Sequence, residues 1–434
     1  MKVLIGGFGR AGKGAGALCT SLGYEVSVYQ DVVPSESDRG QFPAIDFIDS
    51  LTTDAIEGVE LVIVSPGIAP SHPIFSLGID VVSELSFARR HVLGPLVAVT
   101  GTNGKTTVST LIHQMLEESG IKSGLFGNIG DPLSNAYGGR FEAYVVEASS
   151  FQLAYSDHLD ASSAAILNFA PDHLDWHGTV DHYLDAKVKV ASFVRDGGET
   201  FIGADFPMVR ERLDEYGFSY HELPDSNYYY DEHHLVLAGS IEVELQSLNR
   251  RFHHDLSNFI FASALAKVLG ASDDAIYQVV TRFSGLAHRL EYVGEVLGVA
   301  IYDDSKATTP DATVNDLSNF SNLVAIMGGR NKGIDLSPLA VLREKLRAVV
   351  AIGESAQEIS EVFLNTEVPV VVARDMDEAV EVAFKLASVG STIALSPAVT
   401  SWDMYSSYVE RGKDFKRAVG AFARSKGEGH VRFS

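Results

Sequence analysis

The sequence predicts an α/β chain of three consecutive domains, each built on a mostly parallel sheet. Three observations predict it. Short β-branched apolar runs recur along the whole chain and alternate with stretches of helical spacing, the pattern of βαβ units. Two of these runs end in glycine-rich loops that lead into helical stretches, "GFGRAG" at 7–12 and "TGTNGKTT" at 100–107. The length of 434 residues also exceeds one ordinary domain; at about 150 residues each, roughly three fit.

In chain order, the first third supplies the strands "KVLIGG", "EVSVYQD", "LVIVSPG" and "DVVSEL". After "RRHVLGP" a second series begins with "LVAVTG", "AYVVEASS", "AAILNFA" and "TFIGAD". From about 219 to 246 the pattern turns alternating and tyrosine-rich, which reads as an antiparallel hairpin, and the helix "DLSNFIFASALAKVLG" follows. The last third returns to parallel-type strands: "VAIYDD", "LVAIMGG", "AVVAIG", "VPVVVA" and "STIALSP". These changes set domains at 1–90, 91–286 and 287–434. Sites are expected where strand C-termini open into clefts.

Composition narrows the function. At 46% hydrophobic residues the chain can bury sizeable cores. A formal charge of −23 argues against general binding to nucleic acid or anionic membranes. It still permits a local positive pocket for a phosphorylated substrate. The single Cys19 excludes an intramolecular disulfide and suits a reducing compartment. "MKVLI" is too short for a signal segment, and no apolar run approaches the roughly 18–20 residues of a spanning helix. A soluble, cytoplasmic protein is expected.

The first glycine loop, with Asp31 ending the next strand, fits a dinucleotide fingerprint. The other reading is a tight Rossmann-like turn whose helix N-terminus holds some other anion, or none. The second loop is more constrained. Gly101 and Gly104 let backbone N–H groups turn inward, Lys105 offers charge to phosphates, and Thr106 offers a hydroxyl to Mg²⁺. Val99 stands where the usual P-loop has its first glycine. Glu147 ends a neighbouring apolar strand, where a buried carboxylate needs a partner or a metal. A third strand end presents Asn168, Asp172, His173, Asp175 and His177. Thr179 is placed to cap the next helix, whose Lys187 and Lys189 point to different faces, Lys189 as a surface residue.

Taken in order, "SPGIA" at 65–69, "TGTNGKTT", "GNIG" at 127–130, "EASSFQL" at 147–153 and "PDHLDWHG" at 171–178 form a series. It continues with "GLAHRLE" at 285–291, "DDSKAT" at 303–308, "GGRNKG" at 328–333 and "LSPAVTSWDMYSSYVERGKDF" at 395–415. This series resembles the Mur ligases, ATP-dependent enzymes that add amino acids to a peptidoglycan precursor. In that family the shorter phosphate loop is normal. The last segment is most similar to the D-glutamate-adding branch.

The resemblance implies a Rossmann-like N-terminal domain, a central ATPase domain with a small antiparallel part, and a Rossmann-like C-terminal domain. It implies the substrates UDP-N-acetylmuramoyl-L-alanine, D-glutamate and ATP, the metal Mg²⁺, a monomer, no nucleic-acid partner and no membrane insertion. It assigns Gly9, Arg10, Asp31, Ser65 and Asn128 to the UDP side, in place of NAD. ATP is expected on Gly101, Thr102, Asn103, Gly104, Lys105, Thr106, Thr107, Asn258, Arg289 and Asp304. Metal ligation falls to Thr106, Glu147, His173 and Lys187 as a carbamate; Lys105 and Lys306 complete the catalytic set. D-Glutamate is expected at Thr308, Lys332, Ser401 and Tyr408. Trp176, Asp255 and Thr309 depart from the family pattern. The competing readings are a Mur-type ligase for another amino acid and an NAD-dependent dehydrogenase, which leaves the phosphate loop unexplained.

Overall fold

The structure, a computed structural model, describes residues 1–31 and 36–427. Two compact units divide it, the first Met1–Phe283 and the second from Ser284 onward.

The first unit opens with a parallel sheet of β1 (Lys2–Gly6), β2 (Glu25–Tyr29), β3 (Ile45–Ile48), β4 (Leu61–Val64) and β5 (Val81–Ser83), in the order β3-β2-β1-β4-β5. β3 is an edge strand with only Ile45 buried, so no apolar run announces it. The second parallel sheet holds β6 (Leu96–Thr100), β7 (Ser123–Gly127), β8 (Ala143–Glu147), β9 (Ala161–Ile166), β10 (Val194–Gly203) and β11 (His221–Leu223). Their order is β11-β10-β9-β6-β8-β7. Every residue of β6 is buried, which explains its unbroken apolar run in place of an alternating one. The strand order reverses at β6, where the chain runs to β8 on one side and β9 on the other, and ligand crevices open at such points.

The stretch 219–246 is not one hairpin. β11 extends the parallel sheet beside β10, and only β12 (Tyr229–Tyr230), β13 (His234–Leu237) and β14 (Ile241–Glu244) pair antiparallel. One apolar cluster runs from Val3 to Leu213 across both parallel sheets. Residue 90 therefore marks a change of sheet and not of compact unit.

The second unit is a six-stranded sheet of β15 (Glu291–Val296), β16 (Val299–Asp303), β17 (Leu323–Gly328), β18 (Leu346–Ile352), β19 (Val370–Val372) and β20 (Thr392–Leu395). The order is β15-β16-β20-β17-β18-β19; β15 runs antiparallel to β16 and the other pairs are parallel. In β17, Val324 and Ile326 enter one core while Leu323, Ala325 and Met327 enter the other. Alternation along the pleat thus buries both faces of the sheet. Among the described residues, no helix is long and apolar enough to cross a membrane.

Candidate active site

The phosphate loop leaves the buried end of β6. Gly101 has φ +145°, and a Cβ there would press Leu167 at 3.1 Å; Gly104 has φ +82°, and a Cβ would meet Asn258 Oδ1 at 2.6 Å. Only glycine suits either position. Asn168, just past β9, holds the loop: its Oδ1 accepts from Thr102 N–H (3.0 Å) and Asn103 N–H (2.8 Å), and its amide donates to the Asn103 carbonyl (3.0 Å). Thr102 Oγ1 closes the other side, donating to the Ala170 carbonyl and lying 3.2 Å from the Tyr183 hydroxyl. Helix Lys105–Glu118 then starts with its positive N-terminus at the loop.

Two lysines converge here. Lys105 Nζ donates to the carbonyls of Gly101 and Thr102 at 2.8 Å, and Lys187 Nζ donates to the same Gly101 carbonyl at 2.7 Å. Lys187 comes from helix Val180–Val188, capped by Thr179 as expected. Its side chain is fully buried against the Tyr183 ring, 4.5 Å from the centroid. Burial pushes its ammonium well below the usual lysine value, repulsion by Lys105 adds to that, and Asp172 opposes it.

Glu147 ends β8, paired in register with Val99 of β6. One carboxylate oxygen accepts from Asn128 Nδ2 at 2.7 Å, whereas Oε2 is buried without a hydrogen-bond partner among the described residues. Thr100 Oγ1, at the end of the adjoining strand, is a second buried oxygen without one. Two orphaned oxygens at neighbouring strand ends, with the Thr106 hydroxyl on the following helix, form a hard-donor set of the kind Mg²⁺ takes. His173 begins the short helix Leu174–His177 with a left-handed backbone (φ 54°) and a half-exposed ring 4.7 Å from Phe151. Burial lowers its pKa; Asp172 opposes this, while Lys187 and Lys105 reinforce it, so the imidazole shares their field. His177 is a core residue instead, bonded to Ser150 Oγ (3.0 Å), stacked on Phe151 and pushed down to about 4 by burial.

At the first glycine loop, Gly7 (φ +82°) packs on Ser65, and a Cβ on Gly12 would sit 2.0 Å from the Gly7 carbonyl, while space beside Gly9 stays open. Ser65 Oγ donates to the Gly7 carbonyl (2.9 Å). Arg10 donates to the Gly130 carbonyl beside Asp131, tying this loop to "GNIG". Asp31 lies near the Tyr29 hydroxyl (3.3 Å) and His72 Nε2 (3.4 Å).

In the second unit, the ends of neighbouring strands β16, β20 and β17 are gathered by Arg411, a buried side chain of helix Tyr408–Ser425. Its guanidinium donates to Ser305 Oγ (3.0 Å) and the carbonyls of Ser305 (2.9 Å), Gly328 (3.2 Å) and Val399 (3.2 Å). Lys306 Nζ lies 4.2 Å above the Tyr408 ring, and Lys332 Nζ 3.9 Å above Trp402. Ser401 is buried and Thr308 half-buried.

The sequence family described as Mur ligase middle domain matches residues 99–266, and Mur ligase, glutamate ligase domain, matches 288–399. The chain is 35% identical to the UDP-N-acetylmuramoylalanine--D-glutamate ligase of Exiguobacterium sibiricum, over 96% of each chain. It is 31% identical to the enzyme of that name from Caldanaerobacter subterraneus, over 96% of this chain and 98% of that one. The chain belongs to the Mur ligase family. The Mur ligase fold is also seen in MurF ligase from Thermotoga maritima in complex with ADP, with TM-score 0.63 and 16% identity over 97% of this chain and 95% of that one. A pseudomurein peptide ligase type C from Methanothermus fervidus has TM-score 0.62 at 16% identity, over 96% of this chain and 99% of that one.

Against this Mur ligase background, several residues stand differently from their expected places. Asp304 is fully enclosed, with its oxygens taken by Leu290 N–H (3.1 Å) and Ser396 Oγ (2.7 Å). Burial, then repulsion from Asp316, raises its pKa well above the usual carboxylate value, and its bonds brace the fold from inside. Nor does it cap the next helix, because Thr309 does, accepting from Ala312 N–H; this gives the Thr309 departure a local reason. Asn128 turns to Glu147 and Ser65 to Gly7, so both serve internal bonds. Asn258 abuts the loop at Gly104. Asp255 is buried and held by Arg250 Nε at 3.1 Å. Lys189 is no surface lysine; it is half-buried and donates to the Ala154 carbonyl (3.0 Å). Asn168 and Arg411 gained no role from the sequence, since each acts on loops distant along the chain.

Proposed function

We propose that this chain is an ATP-dependent amide ligase that adds D-glutamate to UDP-N-acetylmuramoyl-L-alanine, as a cytoplasmic monomer. The observation that carries the reading is the convergence of Lys105 and Lys187 on the Gly101 carbonyl, next to the partnerless oxygen of Glu147. A carboxylate is a poor electrophile and must be activated. Its oxygen attacks the γ-phosphorus of ATP, forming an acyl phosphate as the bond to the β-phosphate bridge breaks and ADP leaves. The amine of D-glutamate then adds to the acyl carbon, loses a proton and expels inorganic phosphate.

The chain's own groups serve each demand. The loop that Asn168 holds in shape, through its remaining N–H groups, together with Lys105 once it swings off its two carbonyls, would face the phosphates. Thr106, Glu147, His173 and carbamylated Lys187 would hold Mg²⁺, which when bound neutralises the clustered anions. The buried, depressed amine of Lys187 favours carbamylation: neutral nitrogen bonds to CO₂, a proton departs, and a cation becomes an anion. Thr308, Lys332, Ser401 and the backbone near Tyr408 would receive D-glutamate, and Lys306 would face the phosphates of ATP. Gly9, Arg10 and Asp31 would face the UDP end, with Arg289 on the nucleotide.

The deciding experiment measures phosphate release from ATP with UDP-N-acetylmuramoyl-L-alanine and Mg²⁺, with and without D-glutamate. Turnover is expected only with D-glutamate present. Turnover with a different amino acid alone would make the chain a ligase of another specificity.

A further inference from the structure

We infer that Lys416 is a positioning residue that fixes the turn carrying Arg289, and through it the nucleotide contact. The inference rests on the reading above, in which Arg289 and Lys306 face ATP.

Arg289 sits between two non-glycine residues in left-handed conformations, His288 (φ 62°) and Leu290 (φ 46°). Such backbone persists only where surrounding bonds over-determine it. Here three carboxylates do so. Leu290 N–H goes to Asp304 Oδ1 (3.1 Å), His288 N–H to Glu291 Oε2 (2.8 Å), and the His288 Nδ1 lies 2.7 Å from Asp303 Oδ2. The His288 carbonyl accepts from Lys306 N–H (3.0 Å), so the two expected nucleotide-side cations hang on one turn.

Negative charge so concentrated needs compensation. His288, Glu291 and Asp303 offer donor atoms within 4.8 Å of one another, and the cation that meets them is Lys416. Its Nζ lies 2.6 Å from both Glu291 oxygens and 3.8 Å from Asp303 Oδ2. The supporting helix comes this close because of Gly412, one turn earlier. A Cβ there would stand 2.2 Å from His288 Nδ1 and 2.8 Å from Asp303 Oδ2. Without Lys416, Glu291 and Asp303 repel across the turn they jointly hold, and the strained backbone loses its reason to persist.

The test uses the full chain, with affinity for a non-hydrolysable ATP analogue and the KM for each substrate. Lys416→Met should weaken nucleotide binding about tenfold and leave the KM for the UDP substrate within about twofold. Lys416→Arg should recover most of the loss. The double variant with Arg289→Ala should bind no worse than Arg289→Ala alone, because both act at one point. Gly412→Ala, which disturbs the same network without changing charge, should reproduce the selective loss, and it serves also if Lys416→Met does not fold. Unchanged nucleotide affinity in both variants overturns the inference, as do losses that multiply in the double variant or a KM rise shared by all substrates. A wild-type chain that binds nucleotide but ligates nothing defeats the proposed reaction and leaves this coupling measurable. One that binds no nucleotide defeats both.

Discussion

Lys187 has no exposed surface to relieve its charge, and burial and Lys105 both disfavour its ammonium. Chemistry that turns it into an anion would replace its repulsion from Lys105 by attraction. Lys187→Ala should cut turnover at least about a hundredfold, and added short carboxylic acids should restore part of it; near-normal turnover without them would remove Lys187 from the mechanism. Glu84 poses a separate test. It is buried, accepts from Ser134 N–H and Oγ, and has a second oxygen without a hydrogen-bond partner among the described residues. Burial lifts its pKa from 4.5 to about 7, against the Ser134 bonds that lower it. In that window the folded chain binds the proton more tightly than the unfolded one, so stability falls as pH rises, by about 2–3 kcal/mol at most. Denaturant midpoints at pH 5 and pH 8 should show this fall, and Glu84→Gln should flatten it. A wild-type profile that rises over the range would contradict the assignment.

At the scale of elements, the phosphate loop is shaped from outside itself. The N–H groups of Thr102 and Asn103 donate to Asn168, some 65 residues further along, which fixes the loop's shape. Asn168→Ala should weaken nucleotide affinity about tenfold with little change in secondary structure, read by titration calorimetry and circular dichroism. Asn168→Asp keeps the acceptor but sets a negative charge at the loop, and should bind nucleotide more weakly still. Equal affinity in both variants and wild type would show that the loop holds its own shape. Arg411 plays the matching part in the second unit. Lysine cannot span the Ser305, Gly328 and Val399 acceptors with one planar fork, so Arg411→Lys should cost about 3 kcal/mol in denaturant unfolding.

At the scale of the whole molecule, two units with separate cores imply separable unfolding. Calorimetry of the full chain should resolve two transitions, and residues 284–434 expressed alone should reproduce one of them. A single transition for the chain together with an unfolded fragment would mean that the second core depends on the first. The net charge of −23 is spread over a molecule whose glycine loop after β6 nonetheless gathers Lys105 and the positive N-terminus of helix Lys105–Glu118.

Local pattern by itself determined much of this protein. Continuous apolar runs betrayed strands buried on both faces, as in β6 and β17, and glycines beside a lysine betrayed the tight loop between β6 and the next helix. Short edge strands such as β3 escaped because one buried side chain leaves no periodicity to read. Tertiary structure alone decided which polar groups face a ligand and which face each other. Asp304 is enclosed, and Asn168, Arg411 and Lys416 acquired their partners only from neighbours brought close by folding. Secondary structure follows from neighbours along the chain, whereas burial and hydrogen-bond partners depend on contacts between residues far apart in it.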